Sequence, residues 1–256
     1  MKLIPFIITL LSFANTISAQ NLVLINHNCK VSSKDLSKVQ KILKYEAKFY
    51  NNLFNSAVND TLTIKVNLYG NRADYESVKG KAAPGLHRTN GFYTSISDEC
   101  YVVKNSDYLA TIIHEASHCF LQHNIPNNSR FLTEGIAEFF ETLDLGDNGE
   151  IVFSAQPARV KMVKEIVNSG SFKLSAYAFA GPGRWGEKEQ FQTLYSVAYS
   201  VIYFLIKKNP SALKQMLLFI QEGQSFEKAI DYGYGGYKNF ENEFVSFYKS
   251  TLIKPV

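Results

Sequence analysis

The chain has 256 residues, of which 46% are hydrophobic and 20% are charged, and its formal net charge is +4. This composition excludes a disordered chain and supplies enough apolar surface for the core of one or two globular domains. The basic residues are dispersed along the chain, so the sequence predicts no nucleic-acid partner.

Residues 1–19 have the pattern of a signal peptide. Lys2 forms a short positive region, Leu3–Phe13 is an apolar run, and Ile17–Ala19 offers a cleavage site. The apolar run is too short to span a bilayer stably, and so is the longest later one, Val197–Ile206. We therefore predict an exported protein, secreted or periplasmic, with no integral membrane segment after cleavage.

The part that follows is predicted to contain a small sheet with a covering helix. Helical periodicity over Val31–Phe54 predicts one long helix, and Arg72–Lys79 a short one. Polar and apolar residues alternate over Thr61–Leu68, which predicts a half-buried strand. Two further strands, Phe92–Ser95 and Cys100–Val103, are joined by a short turn and lead directly into the next helix.

Three cysteines leave an odd one in an exported chain. Cys29 and Cys100 can pair, because export permits disulfides. Cys119 is predicted to pack as a small apolar residue. The sequence alone leaves the pairing open.

An H-E-x-x-H pattern at 114–118 lies inside the apolar run Tyr108–Leu121, whose periodicity predicts a helix. At 3.6 residues per turn, His114 and His118 lie one turn apart on the same face, and Glu115 is displaced around the helix. Two neutral imidazoles and a neighbouring carboxylate are what a zinc ion and a water-activating base require. The alternative is two half-buried histidines on an amphipathic helix.

Zinc in a catalytic site takes a third protein ligand and keeps a fourth position open. Sixteen positions after His118, and after turn residues within Gln122–Arg130, Glu134 lies in a second predicted helix capped by Thr133. The expected arrangement is helix, turn, helix.

H-E-x-x-H followed by the segment Leu132–Glu138 resembles the gluzincins, the thermolysin-like and aminopeptidase-like zinc peptidases, and is closest to the small peptidase MA-like proteins. The resemblance covers roughly residues 91–205, and the gap from His118 to Glu134 is a few residues shorter than in either family. It implies a zincin-like α+β fold in which the sheet packs on the H-E-x-x-H helix, with zinc held by His114, His118 and Glu134.

The same resemblance implies that Glu138 hydrogen-bonds the outer ring nitrogen of His114; the alternative is a solvated surface carboxylate. Glu141 is predicted to be solvated or to begin a cap. No G-x-M-E-N segment occurs, so the resemblance does not extend to true aminopeptidases.

The C-terminal half is predicted to be nearly all helix, with a loop at Gly181–Gly186. A boundary near residue 145 would divide a sheet-plus-helix part, 20–145, from a helical part, 146–256, that closes a cleft. The predicted helices are Pro157–Val167, Gln190–Lys208, Ser211–Gln221, Ser225–Tyr232 and Lys238–Lys249.

Tyr195 lies in a segment that resembles the aminopeptidase-like helix carrying a tyrosine that supports the transition state. Tyr195, Tyr199 and Tyr203 also form a stripe at helical spacing, which favours plain core packing as the alternative.

Together these features predict an exported, mostly helical α+β zinc metallopeptidase acting on peptide or protein substrates. Glu115 would accept the proton of the attacking water, and Tyr195 would support the oxyanion. Two other classes stay open: a catalytically inert zincin-fold binding protein, and a zinc hydrolase of a non-peptide amide.

Overall fold

A computed structural model of the chain describes residues 21–86, 89–126 and 128–250, apart from the side chain of Lys188. The predicted signal peptide lies outside these residues. The described part is α+β and mostly helical, with a small mixed sheet, as predicted. None of its helices combines the length and apolar character needed to cross a membrane.

The chain divides into two compact units. The described residues of the first unit are 21–119 and 141–154, and those of the second are 120–126, 128–140 and 155–250. The boundary predicted near residue 145 falls inside the segment 141–154 of the first unit. The helix α4 (Tyr108–Asn124) runs without a break from one unit into the other.

The first unit contains all the described strands. These are β1 (Asn21–His27), β2 (Thr63–Tyr69), β3 (Gly91–Thr94), β4 (Glu99–Val103), β5 (Leu143–Leu145) and β6 (Ile151–Phe153), and its other helices are α1 (Ser33–Phe54), α2 (Val58–Thr61) and α3 (Arg72–Ala82).

The four-stranded sheet has the order β1-β2-β4-β3, and β5 pairs with β6 in a separate hairpin. β1 and β4 flank β2 in parallel, while β3 runs antiparallel to β4 with Phe92 opposite Tyr101. The predicted strand pair is therefore confirmed, and it is β3 that lies at the edge of the sheet.

The strand β1 is not predicted by the sequence analysis. Its consecutive aliphatic residues lack the alternation typical of a half-buried strand. Leu22 and Leu24 are partly buried, but the opposite face carries aliphatic residues as well: Val23 is 42% exposed and Ile25 39%.

The long helix α1 is confirmed and begins at Ser33. Its cap is Ser32, whose hydroxyl accepts a hydrogen bond from the Asp35 backbone N–H at 3.0 Å. Buried apolar residues follow at helical spacing along α1, and together with those of β2 they belong to the core of this unit: Val39, Ile42, Leu43, Ala47, Tyr50, Ile64, Val66 and Leu68.

The second unit is helical, as predicted for the C-terminal half, and a short helix occupies the predicted loop at Gly181–Gly186. Its helices are α5 (Arg130–Phe140), α6 (Pro157–Asn168), α7 (Ser175–Ala178), α8 (Pro182–Gly186), α9 (Lys188–Lys208), α10 (Pro210–Gln221), α11 (Phe226–Tyr234) and α12 (Tyr237–Ser250). The helix α5 packs closely on α9 at Gly135. A Cβ built on this glycine would lie only 2.6 Å from the carbonyl oxygen of Ala198, so a larger residue would not fit.

The thiols of Cys29, Cys100 and Cys119 are all free. The disulfide between Cys29 and Cys100 that the sequence left open is therefore not formed. Cys119 is buried, as predicted, and so is Cys100. Burial raises the pKa of both thiols.

Candidate metal centre

The H-E-x-x-H pattern lies in the middle of α4, as predicted. The helix opens where the Thr111 backbone N–H donates to the Asp107 carbonyl at 3.0 Å. A buried stripe of Ile112, Ile113, Ala116 and Phe120 fixes which face of the helix points into the protein. The two histidines of the motif lie beside this stripe and are only half-buried.

The two imidazoles of His114 and His118 converge. Their Nε2 atoms are 3.3 Å apart, and the ring planes make an angle of 76°. Nitrogen ligands that each lie about 2.0–2.1 Å from a tetrahedral zinc ion are themselves about 3.3–3.4 Å apart. The observed separation of the two nitrogens is the one that a shared ion requires. The alternative is a hydrogen bond between the two rings.

A carboxylate holds the other nitrogen of His114. Nδ1 of this ring is 3.1 Å from Oε2 of Glu141, whose side chain is 19% exposed. With a carboxylate as partner, Nδ1 carries the proton and donates, which leaves the Nε2 lone pair for a metal. The alternative that Glu141 is solvated is therefore wrong: it directly follows the end of α5 and bonds His114.

We expect Glu141→Ala to weaken zinc binding about 10- to 100-fold, because the ring of His114 loses the partner that fixes its tautomer. Competition with a chelating dye measures the affinity. Glu165→Ala, at a carboxylate that is 67% exposed on α6, is the matched control. Equal affinities for the Glu141 and Glu165 variants would show that Glu141 does not support the metal.

Glu115 lies against the edge strand β3. It is 6% exposed, and a Cβ built on Gly91 would lie 2.8 Å from its Oε1 and 2.6 Å from Cγ2 of Thr111. Only glycine at this position lets the β3 backbone come so close to α4. The carboxylate next to His114 in sequence therefore lies alongside the backbone of the edge strand.

Two buried polar side chains near α4 are missed by the sequence analysis. Glu46 of α1 is fully buried, and burial raises its pKa well above the usual range, against the opposing effects of Ser117 and His114. Tyr75 of α3 is also fully buried; burial, and after it the charge of Glu115, raise its pKa. A signal for Glu46 was available, because it falls at helical spacing within the buried stripe of α1.

Glu134 lies in the second unit, on α5. This helix begins at Arg130, earlier than predicted, and Ser129 rather than Thr133 lies at its start, with its hydroxyl 3.4 Å from the Leu132 backbone nitrogen. Glu134 is 7% exposed, and its Oε1 accepts a hydrogen bond from Nε of Arg130 at 3.2 Å. Arg130, one turn before Glu134, therefore orients this carboxylate.

Tyr195 of α9 belongs to the same cluster. Its hydroxyl hydrogen-bonds Arg130. Its ring contacts the Trp185 ring edge-on, with the two ring centroids 5.3 Å apart. Burial raises its pKa, the charge of Glu134 raises it further, and Arg130 opposes them. The phenol therefore keeps its proton at neutral pH and can donate it in a hydrogen bond.

Tyr199, one turn further along α9, is fully buried, and its hydroxyl accepts a hydrogen bond from the Gln156 backbone N–H at 3.1 Å. Two residues of the tyrosine stripe thus differ: Tyr199 is packed, and Tyr195 lies beside charged groups.

Glu138 is 4% exposed and forms an ion pair with Arg159. The alternative reading of Glu138 as a solvated surface carboxylate is therefore wrong. Its hydrogen bond to His114 stays a prediction.

The first unit thus brings together His114, His118 and Glu141, and the second brings together Arg130, Glu134 and Tyr195. Within the described ranges, groups of His, Cys, Asp and Glu side chains offer ligand atoms close enough to hold a metal ion, and both motif histidines belong to such a group. Imidazole and carboxylate donors suit zinc and other divalent transition metals.

One family model matches the chain. Its description is "Protein of unknown function (DUF1570)", and it matches residues 108–227. The matched stretch begins with α4 and includes α5 and α9, so it contains both histidines of the motif, Glu134 and Tyr195. No curated protein and no solved structure matches the chain significantly.

Proposed function

We propose that the protein is an exported zinc metallopeptidase of gluzincin type, which hydrolyses peptide bonds in peptide or protein substrates. The observation that carries the proposal is the 3.3 Å separation of the His114 and His118 Nε2 atoms, with Glu141 bonded to the far side of one ring. Export rests on the signal-peptide pattern of residues 1–19.

In this proposal His114, His118 and Glu134 hold the ion. Arg130 already bonds one oxygen of the Glu134 carboxylate, which restricts its rotamers before any metal binds. A bound zinc ion would supply Lewis acidity, and it would lower the pKa of a bound water to about 7.

Glu115 is the general base of the proposed reaction. Its carboxylate accepts the proton of the attacking water and then delivers that proton to the leaving amine. The edge strand β3, whose backbone passes beside Glu115 at Gly91, offers hydrogen bonds to an extended substrate by β-augmentation. The scissile peptide would then lie next to the base.

Two measurements on the purified mature chain test the proposal together. Elemental analysis should find about one zinc per chain, and digestion of a mixed peptide pool should give new termini. An inert binding protein would hold zinc and leave the pool intact. A hydrolase of non-peptide amides would also hold zinc and leave the peptide pool intact. It would differ from an inert protein by releasing amine from a panel of simple acylated amines.

Tyr195 is proposed to donate to the oxyanion. Such a bond is stronger in the tetrahedral transition state than in the planar substrate, so we expect Tyr195→Phe to lower kcat about 100- to 1,000-fold with little change in KM. Steady-state kinetics on a cleaved peptide from the pool measure both constants.

Tyr199→Phe is the matched control, one turn along the same helix. Its hydroxyl bonds only backbone in the second unit, so its loss should lower stability by about 0.5–1.5 kcal/mol and leave kcat near the wild-type value. A Tyr195→Phe enzyme that turns over normally would assign Tyr195 to packing as well.

A further inference from the structure

Arg130 presents an oriented, half-exposed guanidinium beside the proposed metal ligand Glu134. We propose that Arg130 is a carboxylate-binding residue that selects peptides carrying a carboxylate in the segment bound next to the scissile bond. Its role in substrate choice rests on the proposed function; the binding itself does not.

Three contacts within the second unit hold the guanidinium. Its Nε is 3.2 Å from Oε1 of Glu134, the guanidinium hydrogen-bonds the Tyr195 hydroxyl, and its Cζ lies 5.0 Å from the ring centroid of Trp185. Trp185 is itself only 3% exposed, so the ring is a fixed support. The plane and position of the guanidinium are therefore set before any ligand arrives.

The guanidinium keeps donors for a ligand. An arginine has five N–H groups in a planar fork, and Glu134 and Tyr195 engage only part of them. The Arg130 side chain is 43% exposed, so a ligand in solvent can reach it. The remaining N–H donors lie in the plane of a guanidinium whose orientation is already fixed. Two such parallel donors match the two oxygens of a carboxylate.

The charge balance favours an anion as well. Without metal, Glu134 partly neutralises Arg130. Glu134 lies at the Nε side of the guanidinium, 3.2 Å away, so the rest of the half-exposed side chain keeps a positive local potential in the metal-free protein. An anionic ligand then gains Coulomb attraction that a neutral one lacks.

The Arg130 guanidinium would bind a carboxylate from either of two sources. One is the C-terminus of a peptide, and the other is the side chain of Asp or Glu. A terminal carboxylate would make the enzyme act near the end of its substrates. A side-chain carboxylate would make it an endopeptidase that prefers acidic sites.

Fluorescence of the metal-free protein tests the binding, because Trp185 is the only tryptophan and lies against Arg130. The ligands are N-acetyl-trialanine as free acid, the same peptide as C-terminal amide, and the amide of N-acetyl-Ala-Asp-Ala. We expect at least one carboxylate peptide to bind about tenfold or more tightly than the neutral amide, a difference that one charge-assisted contact provides.

Arg130→Gln should abolish that preference, and Arg184→Gln should keep it. Arg184 is the matched control, since it neighbours Trp185 in sequence but bonds Gln190 and the Ala176 carbonyl. If Arg130→Gln does not fold, the wild-type comparison of acid with amide still decides. The proposal is overturned if neither carboxylate peptide outbinds the amide, or if the preference survives in Arg130→Gln.

This experiment separates the two proposals. A protein without zinc or turnover that still prefers carboxylates through Arg130 would refute the peptidase and keep the carboxylate site. An active zinc enzyme that shows no preference for carboxylate peptides would refute the carboxylate site and keep the peptidase.

Discussion

Glu115→Gln should leave the zinc in place and lower kcat by about 100- to 10,000-fold, the range that a positioned general base contributes. The amide keeps the size and planarity of the side chain, which is buried against the backbone of Gly91, so the fold should tolerate it. What it loses is the ability to accept the proton of the attacking water.

Kinetics and zinc analysis on the same sample measure the two parts of this expectation. Glu165→Gln on α6, an exposed carboxylate outside the candidate site, should retain full activity. Near-normal turnover by Glu115→Gln would show that another group takes the proton. Loss of zinc together with activity would place Glu115 among the ligands.

Glu134→Ala should lose stoichiometric zinc, because two imidazoles alone do not complete a catalytic site. His118→Ala removes one of the converging nitrogens and should have the same effect. Zinc per chain after gel filtration is the measurement.

Glu138→Gln is the control on the same helix. Its carboxylate pairs with Arg159, so we expect a loss of stability, and zinc affinity lower by about 10- to 100-fold at most. If Glu138→Gln empties the site and Glu134→Ala does not, the third ligand moves by one helical turn, about 6 Å along the axis.

The local part of the candidate site was predictable. His114 and His118 are one turn apart on a helix whose apolar period is evident, so their convergence follows from helix geometry. The same rule would have paired Arg130 with Glu134, but the predicted start of α5 at Thr133 left Arg130 in a loop. The predicted cap lies four residues after Ser129, and this difference hid the contact.

The non-local part was not predictable. Glu141 follows the last residue of α5, where helical periodicity no longer says which way a side chain points, and its bond to His114 joins residues 27 positions apart. β1 was missed for a different reason: aliphatic residues lie on its exposed face as well as on its partly buried face, so hydropathy does not alternate along it.

Zinc titration into the chelated, metal-free chain tests the central claim most directly. The chain should leave a mixed peptide pool intact without metal, and its rate of cleavage should rise with added zinc to a plateau at about one equivalent. A pool that stays intact at full zinc occupancy, or cleavage that proceeds unchanged in the presence of chelator, would contradict the assignment of a zinc peptidase.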